Sequence, residues 1–259
     1  MAKDEKKFFD TDDPNWWTPE NHKIAEKNFL ATKDFNKLDP RTDFGSYRRI
    51  LLGDSIRSSQ IELHNDLYPS KKIKFLSSLI DKKKTDCLDI LDVGCGLGFT
   101  SEALSKVYQS SRITGVDLSK DAIKYAKKSF QNINFVCNAI EPSNETIGNF
   151  DIILAIEFYP FTRHGNLQAH KNYLKHLLNH LKKNGRLVIC QKWDSSLSIA
   201  KNLTELNNNF REYKFFLTHM PHSKVLRFVS NKSIAQTIDK FLRLILKKQP
   251  TKVLIIRKK

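Results

Sequence analysis

No apolar run in the chain approaches the ~18 residues that a bilayer-spanning helix requires, and none of its four cysteines forms a CxxC pair. The first absence argues against a membrane protein, the second against a zinc site or a disulfide framework. Cys87, Cys95, Cys137 and Cys190 are read instead as free, mostly buried thiols in a reducing compartment. The opening residues, MAKDEKKFFDTDDPNWW, lack the apolar core of a signal peptide, so a cytoplasmic protein is expected. Acidic residues are scarce: 28 against 44 basic ones leave a formal charge of +16. Such a surplus can attract nucleic acid or an anionic surface. Yet 33 of the basic residues are Lys and 11 are Arg, as an A/T-rich coding sequence gives, whereas phosphate recognition favours the Arg fork. The charge is therefore read as a solvated surface, and nucleic acid is not the favoured partner. With 40% hydrophobic and 28% charged residues in 259, the chain suits one folded domain with an added cap.

From Cys87 onward, short apolar runs alternate with helical periodicity. Strands are expected at Leu88–Val93, Ile113–Val116, Ile133–Val136, Phe150–Ile156 and Arg186–Cys190. Helices are expected over 100–109, around Ala122–Ala126, and over 167–183, where Leu167, His170, Leu174, Leu177, Leu178 and Leu181 form one stripe. That last helix is read as ending on Lys182-Lys183 and a C′ glycine, Gly185. A helical stretch at Leu197–Leu206, a strand at Tyr213–Leu217, a helix near 231–247 and a closing strand at Lys252–Ile256 follow. Strands separated by helices imply right-handed crossovers, hence a doubly wound, mostly parallel α/β sheet. Residues 1–80 read as an N-terminal helical cap, with Trp16 and Trp17 as packing anchors and a helix over 46–66; residues 81–259 read as the sheet domain.

The informative segment is Asp92-Val93-Gly94-Cys95-Gly96-Leu97-Gly98, in which a strand ends in a glycine-rich turn that opens a helix. Its spacing is G-x-G-x-G and not the G-x-G-x-x-G of dinucleotide folds, which argues against a nicotinamide dehydrogenase. A pyrophosphate would meet Asp92 there, whereas an ammonium-bearing ligand would gain from it. Nineteen residues after Gly98, Asp117 ends the second strand, where a carboxylate can accept from both hydroxyls of a ribose. Leu118 and Ile140 could sandwich an adenine, with Asn138 and Ala139 at its exocyclic edge. Cys95 is read as a small filler of the loop.

DVGCGLG, followed by GVDLS, NAIEP, FDIILAIEFYPF and a helix leading to NGRLVICQ, resembles the class I S-adenosylmethionine-dependent methyltransferases. The resemblance spans roughly residues 70–194, and 195–259 by general layout only. It implies a seven-stranded Rossmann-like fold, the last strand antiparallel and inserted between the fifth and sixth. It also implies S-adenosyl-L-methionine as cofactor: Asp92 and the Gly94–Gly98 loop toward the methionine part, Asp117 toward the ribose, and Ala155 to Glu157 on the methionine side. Asn138 stands where many relatives carry Asp.

Methyl transfer asks for in-line placement and exclusion of water, and for a base only when the acceptor must lose a proton. After the fourth strand come Glu157, Tyr159 and His164, the candidate catalytic residues: His164 as base, Glu157 on the cofactor or acceptor side, Tyr159 and Phe161 as pocket walls. No metal is expected; His176 and His180 stand at i, i+4 but are read as a solvated helix flank. The expected reaction is methylation of oxygen or nitrogen on a small molecule such as a sugar or secondary metabolite. RNA or protein acceptors, or a non-catalytic S-adenosylmethionine-binding relative, are the alternatives.

Overall fold

A computed structural model describes residues 69–140, 142, 147–158, 161, 166–191, 199–220, 234, 237–239, 241 and 251–258. Residues 1–68 of the cap expected over 1–80 lie outside these, as do Tyr159 and His164.

Seven strands form one sheet: β1 (Asp89–Val93), β2 (Arg112–Asp117), β3 (Asn134–Cys137), β4 (Phe150–Ile156), β5 (Leu181–Gln191), β6 (Tyr213–Met220) and β7 (Thr251–Lys258). Between them run α1 (Phe99–Val107), α2 (Lys120–Ser129), α3 (Leu167–Asn179), a 3₁₀ turn (Ile199–Asn202) and α4 (Leu203–Asn209). The spatial order is β3-β2-β1-β4-β5-β7-β6. β1 to β5 pair in parallel, and β7 runs antiparallel between β5 and β6. The doubly wound sheet and the inserted antiparallel strand are both as expected.

The central strands are apolar at successive positions because both their faces are covered. Leu91, Val93, Ile153, Ala155, Leu187 and Ile189 point to a core built with α3, the 3₁₀ turn and α4. Their neighbours Ile90, Ile152, Leu154, Val188 and Cys190 point to the other core, closed by α1, α2 and the helical residues 69–77 through Ile73, Phe75 and Leu76. Each such fully buried side chain contributes on the order of 1.5–3 kcal/mol. Caps set the helix starts: Ser119 Oγ accepts from Ala122 N–H, and Asn166 Oδ1 accepts from Gln168 and Ala169 N–H.

Three expectations need correction. The helix over 167–183 ends at Asn179, and β5 begins at Leu181 rather than Arg186. The cause is the cation at Lys182. Its ammonium binds Asp89 and Asp151 at the start of β1 and β4, which draws the chain into the sheet instead of capping the helix. Asn184, not Gly185, takes the left-handed conformation (φ 62°); Gly185 is needed because a Cβ there would lie 2.9 Å from the Lys182 carbonyl oxygen. His176 and His180 are not solvated: both are buried, their rings 4.8 Å apart, and His180 Nδ1 lies 2.7 Å from the Gly148 carbonyl. Finally, Cys95 and Cys190 are buried but Cys87 and Cys137 are exposed, and all four are free.

Phe135 of β3 is the wedge that seats α1 on the sheet. A Cβ on Gly98 or on Gly115 would each come within 2.8 Å of its ring. Gly115→Ala should therefore cost about 1–3 kcal/mol by overpacking. Phe135→Leu in the same chain should recover part of that loss, so the two changes are expected to be non-additive in a denaturation cycle. Strict additivity would mean that the ring does not fill this slot.

Candidate active site

Strand order reverses between β1 and β4, since β2 and β3 lie to one side of β1 and β5 to the other. A crevice at the carboxyl ends of the strands is the default ligand site of such sheets. The loop after β1 is bent by three left-handed glycines, Gly94 (φ 70°), Gly96 (φ 55°) and Gly98 (φ 86°), a conformation that costs other residues about 1–2 kcal/mol each. It is pinned to β2: Gly94 and Cys95 N–H both donate to Val116 O (2.8 and 3.1 Å), and Gly96 N–H donates to Asp117 Oδ2 (2.8 Å). Asp117 Oδ1 accepts from Ser119 N–H at 2.9 Å. Both oxygens of the half-buried Asp117 are thus oriented by backbone donors.

Asp92 is 1% exposed and accepts from Ser101 Oγ at 2.7 Å. Burial, with the neighbouring Asp117 charge adding to it against the Ser101 bond, pushes its pKa up to about 7. Cys95 is also buried, and burial together with the two carboxylates drives its thiol far above the usual range, so it is no nucleophile. At α1, Gly98 supplies no side-chain cap, so the first-turn N–H groups are available to an anion.

Beyond Asp117, Leu118 is half-buried and Asn138 exposed. Asn138 N–H donates to Asp117 O (3.1 Å), and its Oδ1 accepts from Ala139 N–H (2.9 Å). Ala139 and Ile140 are buried, Ile140 within the first core. Across the crevice, Ala155 is fully buried between Val93 and Ile189 on the neighbouring strands. Glu157 follows β4 with a left-handed backbone (φ 52°), and its N–H donates to Cys190 O at 2.8 Å. That strained turn brings Phe158 back over Gly94, where a Cβ would lie 3.0 Å from the ring. Phe158 packs edge-on against Phe161 and Tyr173, so an aromatic wall rises from the β4 side.

Asp92, the glycine loop, Asp117, Leu118, Asn138 and Glu157 therefore share one edge of the sheet. His176 and His180 belong to its opposite end, beside Gly148. Sequence reasoning missed Ser101 and Phe158. Ser101 had a legible signal, a hydroxyl on the inward stripe of α1 with Leu104 and Tyr108; Phe158 had none beyond being aromatic.

The arrangement of strands, glycine loop and paired acids is that of the class I, Rossmann-like methyltransferases. The family described as "Methyltransferase domain" matches residues 84–253, and the chain belongs to it. It is similar to the mitochondrial ubiquinone biosynthesis O-methyltransferase of Saccharomyces cerevisiae, 28% identical over 60% of this chain and 52% of that protein. It is also similar to the malonyl-[acyl-carrier protein] O-methyltransferase of Acetivibrio thermocellus, 34% identical over 35% of this chain and 33% of that one. The chain thus spans about half the length or less of these curated relatives. Among solved structures, the plantazolicin methyltransferase BpumL in complex with SAH shares the fold at a TM-score of 0.53 and 19% identity, covering 92% of this chain and 98% of that one. Magnesium protoporphyrin IX methyltransferase of Synechocystis PCC 6803 with bound SAM does so at 0.54 and 13%, over 92% and 96%.

Because the fold raises the Asp92 pKa from 3.8 to about 7, ionising this residue destabilises the chain progressively as pH rises between those values, with no such cost below about pH 4. Asp92→Asn should therefore melt higher than the parent at pH 8 and show little advantage at pH 4. A variant less stable than the parent at pH 8 would show that the ionised carboxylate supports the fold.

Proposed function

We propose that the chain is an S-adenosylmethionine-dependent methyltransferase acting on oxygen or nitrogen of a small-molecule acceptor. The observation that carries this is the pinned Gly94–Gly98 loop held between two carboxylates, Asp92 buried behind it and Asp117 at its flank. The residues fit the donor. Asp117 offers oriented lone pairs to the ribose diol, and Leu118, Asn138 and Ala139 border the adenine. The uncapped α1 suits the methionine carboxylate. Asp92 places negative charge behind the loop, and a nearby cation would favour its ionised form.

When bound, the donor supplies an activated methyl group on a positively charged sulfur. The chain has to hold that sulfur at β1 and β4 and keep water out, a task assigned here to Phe158, which is backed by the buried rings of Phe161 and Tyr173. It must also admit the acceptor lone pair in line with the carbon–sulfur bond. The bound donor would supply the methyl group and, as leaving group, would keep the electron pair of its broken carbon–sulfur bond. A hydroxyl acceptor also gives up a proton, and His164 is the base assigned to receive it, with Glu157 and Tyr159 lining the acceptor side. Oxygen is favoured as acceptor atom because the curated relatives bear O-methyltransferase names. The cap over residues 1–80 is assigned to acceptor selection.

Asp117→Ala should weaken S-adenosylmethionine binding by about 1–3 kcal/mol in calorimetry, through lost charge-assisted hydrogen bonds. The parent chain should retain S-adenosylmethionine and not NAD on equilibrium dialysis; retention of NAD alone overturns the assignment. Once an acceptor is in hand, His164→Gln should lower turnover by roughly 10²-fold or more if a proton is removed there. Full turnover in that variant would dismiss it as the base.

A further inference from the structure

Along the carboxyl edge of the sheet the polar groups fall in a sequence. Asp117 ends β2, the glycine loop follows β1, Glu157 follows β4, Gln191 ends β5, and Lys252 lies beside Gln191 on β7. With neighbouring strands ~4.8 Å apart, Gln191 stands roughly 10 Å beyond the glycine loop, on the side away from Asp117. If the donor lies over β2, β1 and β4, an acceptor aligned with the carbon–sulfur bond must come from over β5 and β7.

Gln191 is 2% exposed, and its Oε1 is buried without a hydrogen-bond partner among the described residues. An unanswered buried amide oxygen is costly and calls for an explanation. It borders a seam lined by Ile189, Ile199, Leu217, Leu254 and Lys252 that is too narrow as it stands to hold a water molecule, so a ligand reaches Oε1 only by parting these side chains. Four of these are apolar walls, and Lys252 is the cation on the same rung of the β5–β7 ladder as Gln191.

We infer that Gln191 and Lys252 form the acceptor-recognition pair: Gln191 Oε1 accepts a hydrogen bond from a hydroxyl of the acceptor, and the Lys252 ammonium meets an acidic group on the same molecule. The acceptor class is then an apolar molecule carrying both a hydroxyl and a carboxylate or comparable anion. Both residues bind and orient; neither takes part in bond making. This assignment rests on the proposed function, because it is the donor's position that makes this side the acceptor's.

The test uses the full chain loaded with S-adenosylhomocysteine. Two probes combine an apolar body with a hydroxyl and a carboxylate: 4-hydroxyphenylacetate, which is flat, and 3-hydroxyoctanoate, which is flexible. The methyl ester of each is the uncharged control. At least one acid should bind roughly ten-fold more tightly than its ester, the size of one charge-assisted contact. Lys252→Met should erase that preference. Gln191→Leu should weaken acid and ester alike by a few-fold while raising the melting temperature, because the unanswered amide is gone; a merely structural glutamine would lower it. The dissociation constant of S-adenosylhomocysteine should not move in either variant. With that cofactor product bound, the inference is overturned if neither acid binds, if the preference survives Lys252→Met, or if Gln191→Leu leaves probe binding unchanged. Failure of the parent chain to bind S-adenosylhomocysteine would instead strike the proposed function itself.

Discussion

One carboxylate joins the parts of the site. Asp117 accepts the Gly96 N–H through one oxygen and the Ser119 N–H through the other. In doing so it ties the loop that starts α1 to the residue that caps α2. The glycine loop cannot be displaced without also breaking the bonds from Gly94 and Cys95 to Val116 O. The Asp117 carboxylate therefore has little conformational freedom left to lose, as the proposed ribose contact would need. The wedge of Phe135 beneath Gly98 and Gly115 supports the same corner from below.

The two ends of β1 treat the same kind of carboxylate in opposite ways. Asp89, where the strand begins, is held by Arg112 and Lys182, and those hydrogen bonds bring its pKa down to about 2. Asp81 nearby is likewise paired with Arg186 and Arg257, the first holding its carboxyl below the usual range. Three residues further along β1, Asp92 is buried and driven the opposite way. The same side-chain type on one short strand thus has its charge stabilised at one end and opposed at the other. Acids paired with cations secure the fold, whereas an acid buried without one opposes its own ionisation.

The layout of the sheet was legible because its signals are local. Buried parallel strands must be apolar on both faces, and the G-x-G-x-G turn with its following acid is short enough to read as a unit. What could not be read were encounters between distant segments. Lys182 looks like a helix terminus until Asp89 and Asp151 draw it into the sheet. His176 and His180 flank a leucine stripe and pass for solvated until the Gly148 turn closes over them. The contact of Phe158 with Gly94 needs the left-handed backbone at Glu157, which no spacing announces. The buried oxygen of Gln191 is legible only once β7 has been inserted beside β5.

In the proposed assignment Glu157 stands between the donor side and the acceptor side. On its β1 side the chain presents backbone donors, glycines and short acids, groups with few rotamers that suit a ligand of constant shape. On its β5 side lie Ile189, Ile199, Leu217 and Leu254, where apolar substitutions of similar volume cost little. A non-glycine residue with φ 52° is strained, and strain of this kind persists where the surroundings over-determine it. Here they do: the Glu157 N–H is bonded to Cys190 and the next side chain rests on Gly94. The turn is thereby fixed to β5 on one side and to the glycine loop on the other. In the proposed assignment, such a turn would hold the methyl donor and the acceptor in register even where the acceptor wall varies.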